Sequence, residues 1–499
     1  MPSILKFSKC PPWPWLEDLR RLDRADRGEL QRLQWEKFCS LIEYAQLQVD
    51  YYKEGFAQAG IRAADLVKWE DLLLIPTISK QQIAANFPDR ITARASNCAT
   101  WQFFATSGTT DRLMVIKDAE ALSRNMALSL YEEEIQGTYA PGSLLVNIPP
   151  DACSLACAVA SRRPKSAIGR MKQSIRDLVA RNPNSLPRWF AGQAMRAIAS
   201  PAREMPSFGP EGTRVSPELL DWYLDRIQLW HPNVLSGLPT YLQLLARRHY
   251  KGGGKSPLKI GSLLPQGALS TPSLRNELMR AFQVPVHEVY GGHEFGCVAS
   301  TCERQDKMHI MMAECLVECV RNGRHVASGE LGEIVVTPFT NKIMPLIRYR
   351  PGDVGRFYED YCACGRQTQL LVVEGRLEDT VVTSKGIRTE QEIIDFVMAW
   401  PNIEFFQLVQ RDERWCDLLV VEKEKNQVNL CDLADITAEF LGNDLQIRPR
   451  LVSTIKPEVS GKFRFVKSTS HRHFHEGKLE RAPVLSPGSF QMTEKTSLY

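Results

Sequence analysis

Ser216 to Ser236 reads SPELLDWYLDRIQLWHPNVLS, and the way this stretch folds decides the fold class. Ser216 can cap a helix, its hydroxyl accepting from a free amide of the first turn, and Pro217 suits the first helical position because its missing N–H is not needed there. Leu219, Leu220, Tyr223, Leu224 and Ile227 recur at helical spacing and predict the buried stripe. Asn233 to Ser236 then predicts a short strand. The alternation continues with a helix containing Tyr241 to Arg248, a turn at Gly252 to Gly254, a strand at Ile260 to Leu264, a helix opened by Thr271 and Pro272, and the strand VHEVY from Val286 to Tyr290. Strands separated by helices need parallel crossovers, so the expected class is α/β, with ligands beyond the carboxyl ends of the strands.

Upstream, residues 1 to about 95 are expected to be helical. In ELQRLQWEKFCSLIEYAQLQVDYY, Leu30, Leu33, Trp35, Phe38, Leu41, Ile42 and Ala45 share one helical face. Downstream, GELGEIVVTPF from Gly329 to Phe339 reads as a half-exposed antiparallel strand. A boundary near Gly375 separates a large domain, 1–374, from a small α+β domain, 375–467, with a helix at Glu390 to Ala399 and strands at FFQLVQ and CDLLVVEKE. The tail 468–499 lacks periodicity and is expected to be disordered.

Composition excludes several classes. The 499 residues are 43% hydrophobic, enough for a substantial core, and 62 basic residues against 58 acidic ones give a nearly balanced charge of +4. Nucleic acid is not called for as a partner. The 13 cysteines are scattered and odd in number, and the chain opens without a signal peptide, which predicts a reducing, cytoplasmic setting. No run approaches the ~18 apolar residues of a spanning helix, so no membrane partner is expected. Oligomeric state stays open, a homodimer included.

The stretch FFATSGTTDR, Phe103 to Arg112, sets four hydroxyls around one glycine after an apolar run. Successive amides in such a turn, backed by hydroxyls, make a concave anion site. Taken alone it reads more readily as an ordinary turn. Four further segments follow in order: EVYGGHE (Glu288 to Glu294), YRPGD (Tyr349 to Asp353), EGRLED (Glu374 to Asp379) and SGKFRFVKS (Ser460 to Ser468). With these five the chain resembles the adenylate-forming superfamily, in the branch of phenylacetate-CoA ligases, capsule-biosynthesis adenylating proteins and coenzyme F390 synthetases.

The resemblance implies a large domain of mixed sheets and helices, a small mobile C-terminal domain, and ATP, Mg²⁺ and coenzyme A as cofactors. It assigns Ser107, Gly108, Thr109 and Thr110 to the β- and γ-phosphates. Asp111 and Leu113 depart from the family's loop, and Arg112 and Lys117 could offset the acid's charge. Gln266, Gly267 and Ala268 pass close to the adenine, Tyr290 with Gly291 stacks on it, and Glu294 ligates Mg²⁺. His293 stands where the family has a hydroxyl. Asp353 accepts from the ribose hydroxyls, Arg376 reaches the ribose and phosphate region, Glu378 falls at the hinge, and Lys462 bridges the attacking carboxylate and the α-phosphate. The implied reaction activates a small carboxylic acid, aromatic acids included, as an acyl adenylate and transfers it to coenzyme A, with a carrier protein or an amine as other acceptors. NIPPDACSLACAVAS and the GLPTY helix, with Pro239 and Tyr241, are expected to line the acyl pocket. A non-catalytic nucleotide-binding protein of the same fold is the reading that Asp111 and His293 favour.

A second constellation stands apart. Cys302 and His309 in CERQDKMHI, with Cys362 and Cys364 in YCACGR, offer the Cys₃His set of structural zinc. Chance proximity in a thiol-rich chain is the other reading, and some members of the branch carry a comparable cluster. Cys315 and Cys319 show helical spacing and read as buried small hydrophobes.

Overall fold

The computed structural model describes residues 10–105, 113–138, 143–150, 202–208, 214–251, 258–458, 461–469 and 474. Contacts divide the chain into two units, the first comprising Met1–Val373 with Lys456–Phe463 and the second Glu374–Ile455 with Arg464–Tyr499. The segment Lys456–Phe463, which carries Lys462, groups with the first unit although its chain neighbours group with the second.

Within the first unit, the opening stretch folds as a helix, Pro217–Trp230, whose N-cap Ser216 accepts from the Leu219 amide. Leu220, Tyr223 and Ile227 are buried, but Leu219 faces solvent. The strands Ala202–Glu204, Leu145–Ile148, Val234–Gly237 and Ser262–Pro265 form a four-stranded sheet in that order, every pairing parallel. Helices Pro217–Trp230 and Pro239–Lys251 supply the crossovers into Val234–Gly237 and Ser262–Pro265, and Pro272–Phe282, capped by Thr271, follows the last strand. The α/β expectation is met.

VHEVY behaves differently from its reading. Val286 makes a single parallel bridge to Leu263, and the strand proper, Val289–Gly292, pairs antiparallel with Gly296–Thr301 in another sheet. The chain thus leaves the parallel sheet and enters a ten-stranded mixed sheet within five residues. That sheet runs Ile78–Ser79, Tyr349–Arg350, Leu331–Pro338, Asp353–Tyr358, Leu370–Arg376, Met308–Ile310, Gly296–Thr301, Val289–Gly292, with Cys315–Arg321 and Arg324–His325 paired off this path. Leu331–Pro338 is buried at every position instead of half-exposed, because it pairs with Cys315–Arg321, Tyr349–Arg350 and Asp353–Tyr358 and its run is nearly all apolar. Cys315 and Cys319 are buried as expected, but on a strand, where residues four apart also share a face.

The N-terminal helices Trp13–Leu22, Arg27–Gln48 and Asp50–Ala59 pack on this sheet. Arg27–Gln48 buries Leu30, Phe38, Leu41, Ile42 and Ala45, together with Gln34, whose Nε2 donates to the Cys315 carbonyl at 2.7 Å. A short hairpin pairs Gln102–Ala105 with Met114–Lys117, in register Ala105 to Met114 and Gln102 to Lys117. The phosphate-loop residues Ser107, Gly108, Thr109 and Thr110, with Asp111 and Arg112, lie between these strands and outside the described residues.

The second unit has a four-stranded sheet in the order Gln446–Leu451, Trp415–Glu422, Ile403–Gln410, Val466–Lys467, with helices Glu390–Met398 and Leu430–Leu441 and a hairpin, Val381–Thr383 with Gly386–Arg388. Of the tail 468–499, only 468, 469 and 474 are among the described residues.

Candidate active site and metal centre

Two tyrosines and two carboxylates converge at strand ends of the mixed sheet. Tyr290, on Val289–Gly292, donates its hydroxyl to Asp353 Oδ2 at 2.8 Å, and Asp353 opens the strand Asp353–Tyr358. Tyr349 donates to Glu294 Oε1 at 3.2 Å. Phe295 lies between, its ring centroid 5.8 Å from that of Tyr290 and 6.1 Å from that of Tyr349. The turn is tight enough to require glycine: a Cβ on Gly291 would sit 2.6 Å from the Gly296 carbonyl oxygen, and one on Gly292 would sit 2.9 Å from Glu294 Oε2. The paired glycines let the Glu294 carboxylate fold back beside the strand that carries Tyr290.

His293 is solvent-exposed on its outer face. The protein packed around it lowers its pKa, Lys117 and Lys462 act in the same direction, and Glu294 opposes them. The imidazole is therefore neutral at pH 7 and can accept as well as donate. Gln266, Gly267 and Ala268 follow the strand Ser262–Pro265 and are exposed beyond its carboxyl end, the Gln266 amide donating to the Gly237 carbonyl at 2.9 Å. This is where an α/β sheet presents ligands.

Lys117, weighed from sequence only as a charge offset to Asp111, ends the strand Met114–Lys117 in the interior. Burial pushes its pKa down to about 8 and Glu294 pulls it back up. The signal available in the sequence was a lysine closing the apolar run MVIK a few residues beyond the glycine turn.

The cysteine and histidine cluster assembles completely. The ligand atoms of Cys302, His309, Cys362 and Cys364 all lie within 4.8 Å of one another. Cys302 Sγ is 3.8 Å from Cys362 Sγ, and Cys364 Sγ is 3.4 Å from His309 Nε2. Thiolates ~2.3 Å from a tetrahedral ion stand ~3.8 Å apart, so the donor set fits zinc. Backbone amides donate to the sulfurs, Arg304 to Cys302 at 3.4 Å, Cys364 to Cys362 at 3.5 Å and Arg366 to Cys364 at 3.4 Å. His309 Nδ1 is engaged by Thr368 Oγ1 at 2.8 Å, which leaves Nε2 facing the thiols. Burial lowers the His309 pKa to about 4 and raises that of Cys302. A neutral imidazole is the form that ligates, and buried thiolates need a cation.

This knuckle is tied to the N-terminal helices. Arg366 Nε donates to Asp23 Oδ1 at 2.6 Å and Arg366 Nη1 to Glu303 Oε2 at 3.1 Å, while Tyr131 donates to Asp23 Oδ1 at 2.6 Å. Arg24 donates to the Cys364 carbonyl and Arg27 Nε to that of Gln367 at 2.8 Å.

Three relatives place the fold. The phenylacetate-coenzyme A ligase of Thermus thermophilus is 24% identical over 408 residues, covering 79% of this chain and 81% of the relative. Protein CapK of Staphylococcus aureus is 21% identical over 458 residues, 90% of this chain and 91% of CapK. A crystal structure of 2-hydroxyisobutyryl-CoA ligase in the postadenylation state, in complex with R3-HIB-AMP, matches with TM-score 0.68 at 17% identity, covering 92% of this chain and 94% of that one. No family model matches.

Along most of its length this chain resembles the adenylate-forming superfamily, and it shares the fold of the 2-hydroxyisobutyryl-CoA ligase.

Against that superfamily's pattern, the first unit brings together Gly291, Tyr290, His293, Glu294 and Asp353, with Lys462 close enough to act on His293. Lys462 is held in a turn where its carbonyl accepts from the Glu458 amide at 2.8 Å. Arg376 belongs to the second unit, exposed at the end of its strand. There Gly375 packs against buried Glu390, which takes the Arg376 amide; burial raises Glu390 to about 8. Of the expected acyl pocket, 151–161 lie outside the described residues. Tyr241 is buried with its ring stacked on that of Phe208, centroids 4.4 Å apart.

Proposed function

We propose that this adenylate-forming enzyme activates a small carboxylic acid with ATP and passes the acyl group to coenzyme A. The observation that carries the reading is the Tyr290–Asp353 hydrogen bond beside the Tyr349–Glu294 one, which sets an aromatic ring, a ribose-type acceptor and a hard carboxylate at one set of strand ends. In the first step a carboxylate oxygen attacks the α-phosphorus, the bond to the β-phosphate oxygen breaks, and pyrophosphate leaves. In the second, the coenzyme A sulfur attacks the acyl carbon and AMP leaves.

Each residue then has a task. Tyr290 stacks on adenine with Gly267, Ala268 and Gly291 as its backbone surroundings, and Asp353 takes the ribose hydroxyls, exchanging its bond from Tyr290. Ser107, Gly108, Thr109 and Thr110 hold the β- and γ-phosphates, and Arg376 steadies the ribose end. Lys462 offsets charge on the attacking carboxylate and the α-phosphate. His293, neutral and exposed, donates to the α-phosphate or acyl oxygen. Glu294 would hold Mg²⁺, which supplies charge neutralisation to the phosphates when bound.

The reading divides the enzyme into a large domain, 1–374, and a small mobile domain, 375–467. Zinc in the Cys302, His309, Cys362, Cys364 set is structural, since four protein donors leave no open position. A cytoplasmic setting agrees with the described cysteines being free, and no described helix is long and apolar enough to cross a membrane.

Incubation with MgATP, coenzyme A and a panel of small aliphatic and aromatic acids, followed by mass spectrometry, tests the reading. A thioester with matching AMP is expected for at least one acid. AMP without thioester would redirect the second step to a carrier protein or an amine, and ATP left intact with every acid would defeat the proposal.

A further inference from the structure

We propose that Lys117 is a phosphate-holding residue of the adenylation site, its ammonium taking up negative charge of the nucleotide's phosphate chain beside Glu294. The proposal rests on the reading that this site binds MgATP.

Lys117 closes the strand that follows the 106–112 segment, and the register Gln102 to Lys117 fixes its place in the hairpin. Asn341 locks that strand from the other side, its Nδ2 donating to the Ile116 carbonyl at 2.8 Å. The lysine is only 6% exposed. Its ammonium stands 5.8 Å from the Phe104 ring centroid and makes no ion pair with any described carboxylate.

Burying an ammonium without a described counter-ion is unfavourable, and an aromatic face at this range offsets only a small part of that cost. Glu294 is the charged group that acts on Lys117, and Lys117 and Lys462 both act on His293. Glu294 cannot serve as a dedicated counter-ion, since Tyr349 already donates to one of its oxygens and the other is committed to Mg²⁺ in the proposed reaction. Two lysines and one carboxylate around a neutral imidazole leave a positive balance. That balance suits a polyanion. A lysine acts on phosphate as a point charge and needs no bidentate geometry.

Calorimetric titration of MgATP and of adenosine into the full-length protein and its Lys117→Met variant tests the assignment, with Lys117→Gln as the second uncharged variant should the first not fold. The expected result is MgATP affinity weakened about tenfold or more, with adenosine affinity unchanged within about twofold. Unaltered MgATP affinity overturns the assignment, and so does a parallel loss of adenosine, which would mark Lys117 as holding the fold. Wild-type protein that binds no MgATP would defeat the functional reading itself; wild type that binds it, with a variant that binds equally well, defeats this assignment alone.

Discussion

The candidate metal centre and the candidate nucleotide site both draw on the mixed sheet but differ in almost every physical respect. The four metal donors come from two segments about sixty residues apart in sequence, yet they meet with their backbone amides and Thr368 already in place. The candidate nucleotide residues sit at strand ends: His293 and the Gln266–Ala268 turn are exposed, and Arg376 belongs to the second unit. A closed set of donors has nothing left to offer a substrate. An exposed set at strand ends can receive a ligand. The first is read as architecture and the second as chemistry.

Four predictions would break or sharpen this comparison. The largest effect is expected from Lys462→Ala, which should lower acid-dependent ATP–pyrophosphate exchange by about a hundredfold or more while leaving the melting temperature unchanged. Cys364→Ser, or chelation, should remove about one zinc per chain by elemental analysis and lower the melting temperature by roughly 5–10 °C. MgATP affinity should hardly move, and if it fell with the metal the two regions would not be separable.

A pH effect should follow in the second unit. Burial raises Glu390 to about 8 and Asp379 to about 6, the latter against the pull of Arg464. Both carboxyls therefore bind protons more tightly folded than unfolded. Their contribution is fully present below their unfolded pKa values and is lost as pH rises through about 6 and then about 8. Hydrogen exchange in peptides from Glu374–Ile455 should accelerate between pH 5 and pH 8 beyond the intrinsic chemical rate. Glu390→Gln, which mimics the protonated carboxyl, should flatten that trend. The smallest effect belongs to Asp111→Gly, expected to tighten MgATP about two- to fivefold by calorimetry; lost activity would mean that the acid works in the site.

What was legible in the sequence was local. Ser216 with Pro217, Thr271 with Pro272 and the stripe Leu220, Tyr223, Ile227 carry their own physics, and the structure uses them as read. Long-range placement was not. Nothing within VHEVY says that Val286 touches the parallel sheet while Val289 begins a strand in another one. Burial of Leu331–Pro338 depends on partners distant in sequence. The helix Leu430–Leu441 was missed although Asn429 caps it, accepting from Cys431 and Asp432, and Leu433, Thr437, Phe440 and Leu441 line its buried face. The metal donors could be named from spacing, but the Thr368 contact that orients His309 is a tertiary fact. Lys117 is the sharpest case: its type was visible, and its burial beside Glu294 was not.

The most direct measurement is carboxylate-dependent ATP–pyrophosphate exchange by the full-length protein, run without coenzyme A over a panel of small acids. The account predicts exchange that requires Mg²⁺ and appears only with particular acids. Tight MgATP binding with no exchange for any acid would contradict it and make the chain a nucleotide-binding protein on this fold.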